Sequence, residues 1–92
     1  MPNRFLLFTI LLFLAALPSN AQGNSRVDSL KQVIGKHPMD TTGVETLIAL
    51  AGEYYMDDPA RAETTCRQAL SVSQKIGYEK GTTASYGWLG FL

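Results

Sequence analysis

The sequence predicts an all-α chain, on three observations. Apolar residues recur at spacings of three and four, residues that open and close helices stand between those stripes, and after residue 21 no period-two alternation lasts four residues. The first stripe is Val27, Leu30 and Ile34, one face of a short helix that Gly35 is expected to stop. His37-Pro38-Met39 then predicts an extended connection, because the residue before a proline avoids the helical region. Asp40 follows as an N-cap, and Val44, Leu47, Leu50, Ala51 and Tyr54 form the clearest helical stripe in the chain.

Asp57-Asp58-Pro59 closes that helix and opens another. Asp58 can accept from free backbone N–H groups, Pro59 occupies a first-turn position where its missing donor costs nothing, and both carboxylates favour the positive helix end. Ala62, Cys66, Ala69, Leu70, Ser73 and Ile76 line one side of this third helix, with Arg61, Glu63, Arg67, Gln68 and Lys75 toward water. Gly77 is its expected stop, and Lys80 to Thr83 leads into a further helical stretch over 84–92.

The 92 residues carry eight basic and eight acidic side chains, room for one small domain. The absence of a Lys/Arg run removes the electrostatic footprint of nucleic acid. Fourteen apolar residues, three of the four Phe among them, fall in the first 21 positions. Arg4 precedes an apolar run from Phe5 to Leu17 broken only by Thr9; Pro18 ends it, and Ser19-Asn20-Ala21 offers small residues where a signal peptidase reads. The run would extend about 20 Å as a helix, short of the roughly 30 Å hydrocarbon core, so a cleaved secretory signal over 1–21 is expected in place of a permanent span. Contact with the membrane is expected only through that segment or a span further downstream. The mature chain then starts near Gln22, outside the cytoplasm. The only cysteine, Cys66, is far from the cut, so lipid attachment is not indicated.

One Cys excludes an internal disulfide, and one Cys with one His is too few soft ligands for a zinc site. A chain of this length without either staple is expected to lean on a neighbour. Sliding the sequence on itself by 39 residues sets Leu47 on Tyr86, Leu50 on Leu89 and Ala51 on Gly90. Each trio is two bulky residues and then one small enough for a helix to approach.

This pattern resembles the tetratricopeptide repeat, a two-helix unit with a large residue, Leu-Gly and an aromatic on its first helix and spaced alanines on its second. The resemblance places Leu47 at the large position, Leu50-Ala51 at the pair, Tyr54 at the aromatic, Ala62 and Ala69 at the alanines and Cys66 between them. Tyr86, Leu89 and Gly90 match the opening of a second unit. The period exceeds the common 34 residues, and the terminal Pro is missing after Ile76. The longer unit with Gly77-Tyr78 and Gly81 at its end, the Asp28-Ser29-Leu30 helix and the Asp40-Thr41-Thr42 lead are similar to a variant in exported bacterial signalling proteins. In that family a membrane helix and a histidine kinase or DNA-binding regulator domain often follow the array.

The resemblance implies antiparallel helix hairpins of an α-solenoid: a short helix and linker over 22–40, one full unit over 41–77 and a partial one over 81–92. It implies a protein or peptide partner gripped in a groove, with Thr46, Glu53 and Tyr55 as candidate groove residues. No catalytic, cofactor or metal site is expected in this segment. Asp57 and Asp58 read as helix caps, His37 as a solvated connection residue, Cys66 as a packed thiol without a base nearby, and Gly87 and Gly90 as points of close packing. The rival reading is a small secreted protein that self-associates through Tyr86 to Leu92. In a third, the parent is a sensor kinase whose catalytic part lies elsewhere.

Overall fold

A computed structural model describes residues 25–92, so the secretory signal expected over 1–21 lies outside the described residues. The described chain is all helical: α1 over residues 25–36, α2 over Thr41–Tyr54, α3 over Pro59–Ile76 and α4 over Glu79–Phe91. No strand occurs among the described residues. The arrangement is compatible with a helical repeat. Consecutive helices joined by connections of four and two residues pack against one another, with α3 between α2 and α4.

Val27, Leu30 and Ile34 are half-buried on α1, together with Val33. Gly35 does not stop this helix, which runs to residue 36; a glycine terminates a helix by taking a positive φ, and Gly77 is the one described residue that does. The His37 N–H closes α1 on the Val33 and Ile34 carbonyls, at 3.0 and 3.1 Å, and Pro38 follows without a donor. Asp40 caps α2 as expected: its backbone is extended, and its carboxylate accepts from the Gly43 N–H at 2.9 Å.

The core begins on α2. Val44 and Ala51 are fully buried, Leu47 is 3 % exposed and Leu50 5 %. Asp58 caps α3, accepting from the Arg61 N–H at 3.2 Å, with Pro59 in the first turn. Replacing Asp58 with Ala leaves that donor to water and is expected to lower stability by about 1 kcal/mol, read as a shift of the urea midpoint with unchanged slope. The buried face of α3 holds Ala62, Thr65, Cys66, Ala69, Val72 and Ser73, while Leu70 and Ile76 are half-buried. Thr65 and Val72 escaped the single stripe because α3 has neighbours on two sides, which widens the buried arc.

Gly77 ends α3 in the left-handed conformation, φ 70°. Its N–H bonds to the Gln74 carbonyl at 3.3 Å and that of Tyr78 to the Ser73 carbonyl at 2.8 Å, the two bonds of a Schellman motif. Tyr78 is at once the N-cap of α4, so there is no separate lead, and α4 opens at Glu79, ahead of both the expected stretch at 84 and the boundary at 81. With no side-chain cap there, the first-turn carboxylate of Glu79 complements the positive helix end. The Tyr78 hydroxyl reaches back to donate to Glu45 of α2.

This cap sets the phase of α4. N-caps Asp40 and Tyr78, buried Gly43 and Gly81, and buried Leu47 and Ser85 are each 38 residues apart, one fewer than the sequence self-match. Tyr86 and Gly90 are consequently exposed and Leu89 is half-buried, unlike Leu47, Ala51 and Leu50 at the matched positions of α2. Close packing falls elsewhere than at Gly87 and Gly90, where a Cβ would meet nothing within 4 Å. The tight crossing is at Gly81, where a Cβ would strike the Ser73 Oγ, lie 2.6 Å from Val44 Cγ1 and 2.7 Å from Tyr78 Cδ2. A second tight contact sets Gly43 against the His37 carbonyl oxygen.

Candidate functional site

Among the described residues, the end of α2 and the outer half of α4 build an apolar surface. Along α4, Ala84, Gly87, Trp88 and Phe91 recur at helical spacing and line an open groove of about 430 Å³. Trp88 lies over Gly52 of α2, its ring carbon 3.7 Å from where a Cβ would stand, so the glycine makes room for the indole. The Tyr55 ring meets Trp88 edge-on at 5.7 Å between centroids and Phe91 at 5.3 Å, and Trp88 and Phe91 are themselves 6.3 Å apart. Such geometry satisfies the ring quadrupoles. Phe91 remains 67 % exposed and Tyr86 55 %, a large apolar area to leave in water.

The three candidate groove residues do not share a face. Tyr55 joins the α4 aromatics, whereas Glu53 pairs with Arg26 of α1. Two positions along a helix are separated by about 200°. Thr46, seven residues before Glu53, lies on the Glu53 side and spends its hydroxyl on the Thr42 carbonyl at 2.7 Å. Sequence reasoning missed Gly52 and Trp88 as partners; the signal available was a helical glycine set against the chain's single Trp.

The remaining candidates have local roles. Tyr54 is half-buried beneath the Arg61 guanidinium, 5.3 Å above its ring centroid. His37 is not simply solvated: its Nδ1 lies 2.8 Å from an Asp40 oxygen. The Gly43 N–H first, and the His37 ring after it, hold the Asp40 carboxyl below its usual range, so this cap weakens as acid protonates it. Cys66 is fully buried between Ala62 and Ala69, and burial, with the nearby Glu63 charge, pushes its thiol up. A thiol so placed stays protonated and is no nucleophile at neutral pH. No cluster of three or more metal-ligating side chains occurs among the described residues.

The same shifts define a pH dependence. Tyr78 is also pushed up, first by its hydrogen bond to Glu45 and then by burial. For both groups the folded state favours the neutral form, so their contribution is complete below the unfolded-state value and lost as pH rises through the raised one. Stability is expected to fall above about pH 9, and a Cys66→Ala/Tyr78→Phe double variant should show a flatter alkaline slope in urea midpoints against pH. Identical slopes for parent and variant would contradict this assignment.

No helix among the described residues is long and apolar enough to cross a membrane. Comparison with protein-family models, with curated proteins and with solved structures gives no match for this chain, so the geometry of its own helices is the ground for any functional reading.

Proposed function

We propose that this chain is an exported, tetratricopeptide-like repeat segment that offers a binding or scaffolding surface to a protein or peptide, as the N-terminal sensory part of a bacterial two-component signalling protein. The observation that carries the reading is the pairing of a helix packed on both sides, α3, with a last described helix that turns aromatic side chains outward. In a stack of helix pairs each unit buries its apolar face on the next, and the surface of the first helices forms the recognition groove. Tyr55, Trp88 and Phe91 supply rigid, largely apolar contact area for such recognition. The segment is a binder and not an enzyme; phosphoryl-transfer chemistry belongs to a kinase portion of the parent.

Two measurements test the reading. A fusion of alkaline phosphatase after Leu92 is expected to be active in bacteria and to lose activity when Leu11 and Leu12 are replaced by Asp, since the reporter folds only after export. The reading frame beyond Leu92 is expected to encode further helix pairs and then a membrane span. The exposure of Tyr86, Phe91 and Leu92 favours one rival, self-association of a small secreted protein through this end. A stop codon at that point, with concentration-dependent dimerisation abolished by Phe91→Ser, would establish the rival and overturn the repeat reading.

A further inference from the structure

Two properties of the apolar groove on α4 restrict what can lie in it. Of its lining residues Ala84, Gly87, Trp88 and Phe91, only Trp88 carries a hydrogen-bonding group on its side chain, and their backbone N–H groups are spent inside the helix. An extended peptide pressed into the groove would leave main-chain donors and acceptors unpaired, whereas a helix arrives with its own bonds made. The groove is also bounded by opposite charges. Lys80 precedes Ala84 by four residues and so shares its stripe, about 16 Å along α4 from Phe91. Asp57, at the other end, stands two residues beyond Tyr55, whose ring meets Phe91. Both are exposed, and neither has an ion pair among the described residues. From residue 81 to residue 92 the chain carries no charged side chain.

We propose that this groove takes an amphipathic α-helix of a partner protein, with a basic residue at the end that meets Asp57 and an acidic residue at the end that meets Lys80. The inference rests on the binding surface proposed above and names the form and charge pattern of its ligand. The spacing fits a helix. From Ala84 to Phe91 the stripe rises about 10 Å, or about two turns, the span of apolar side chains at i, i+3 or i+4 and i+7 of a docked helix. Ala84 and the exposed Gly87 keep the stripe low, so a helix backbone can come close there, while Trp88 and Phe91 supply the larger contact. The terminal charges set the register. An uncharged middle sits on the uncharged stretch of α4, and each end finds the charge opposite to its own. A uniformly basic or uniformly acidic helix would meet its own sign at one end of the groove.

Selection on the purified protein from a displayed library of random peptides of about 16 residues tests this, with the enriched sequences then titrated as synthetic probes. The expected sequences are apolar at i, i+3 or i+4 and i+7, with a base at one end and an acid at the other. Their affinity should fall at least about tenfold in Phe91→Ser, a change at an exposed position, and about fivefold in Lys80→Glu. Lys31→Gln, on the opposite flank of the hairpin, should leave it unchanged. A proline at the centre of the peptide should weaken binding by about a hundredfold, because it breaks a helix. Peptides that need Phe91 yet tolerate the proline, or ignore Lys80→Glu, would overturn the helical ligand and leave the binding surface standing. No enriched peptide, or binding that ignores Phe91→Ser or is weakened by Lys31→Gln, would overturn both. Dimerisation of the protein alone, lost in Phe91→Ser, would assign the groove to a second copy and overturn the proposal as well.

Discussion

Gly43→Ala is expected to destabilise the protein by about 3 kcal/mol, at the upper end of what overpacking costs. The new Cβ would occupy the space of the His37 carbonyl oxygen, a backbone atom held where the His37 N–H closes α1. A side chain could rotate aside; this carbonyl moves only if the α1–α2 connection moves. The Asp40 cap would then shift as well, because its carboxylate accepts from the Gly43 N–H. Gly87→Ala provides the contrast, since both glycines lie inside helices and gain the same propensity from a methyl group, yet at Gly87 that methyl meets open space. Gly87→Ala should therefore stabilise by about 0.5–1 kcal/mol. Urea midpoints of opposite sign for the two variants are the expected outcome. Two stabilising substitutions would mean that the Gly43 contact does not limit the fold.

Gly81→Ala is expected to undock α4 at a net cost of about 2 kcal/mol, the propensity gain offsetting part of the collision. Two of the three side chains it meets, Val44 and Ser73, are fully buried and have no free space to retreat into. The chain's single Trp reports the event, because Trp88 rests over Gly52 only while α4 is docked on α2. Its emission should shift to the red in Gly81→Ala at urea concentrations where helicity is retained. Ser73→Ala should restore part of the loss in the double variant, since the Ser73 Oγ is one of the atoms struck and is buried without a hydrogen-bond partner. Strict additivity of the two substitutions would show that these helices do not meet where the structure has them.

The helices were legible where local chemistry decides them. Asp40, Asp58-Pro59 and Gly77 each satisfy or terminate a run of backbone donors and acceptors within a few residues, so spacing and residue type were enough. The inward positions of α2 were legible for a related reason: Val44, Leu47, Leu50 and Ala51 are apolar at helical spacing. What stayed hidden depends on more than one helix. Thr65 and Val72 are buried because α3 is flanked twice, and the phase of α4 follows from a cap in which Tyr78 ends one motif and begins the next. A one-residue change in that phase turns Tyr86 outward and Ser85 inward, which no self-match of the sequence could register.

The aromatic face was half legible. The crowding of Tyr86, Trp88, Phe91 and Leu92 marked α4 as apolar, but Tyr55 and Glu53 could not be assigned to opposite flanks without knowing that α1 and α4 lie on different sides of the hairpin. The open cleft between α1 and the α2–α3 hairpin left no mark in the sequence, because its lining residues, from Lys31 to Gln68, lie on three helices and up to 37 residues apart.

The two-residue joint at Gly77 and Tyr78 has a mechanical consequence. Backbone bonds clamp both sides of the turn, so α3 and α4 form the arms of one bracket, joined by main-chain geometry at the turn and by the packing at Gly81 beyond it. A pull or twist applied to the far end of α4 is thus delivered to α3 as leverage, and the tyrosine strut to Glu45 passes part of that torque straight to α2.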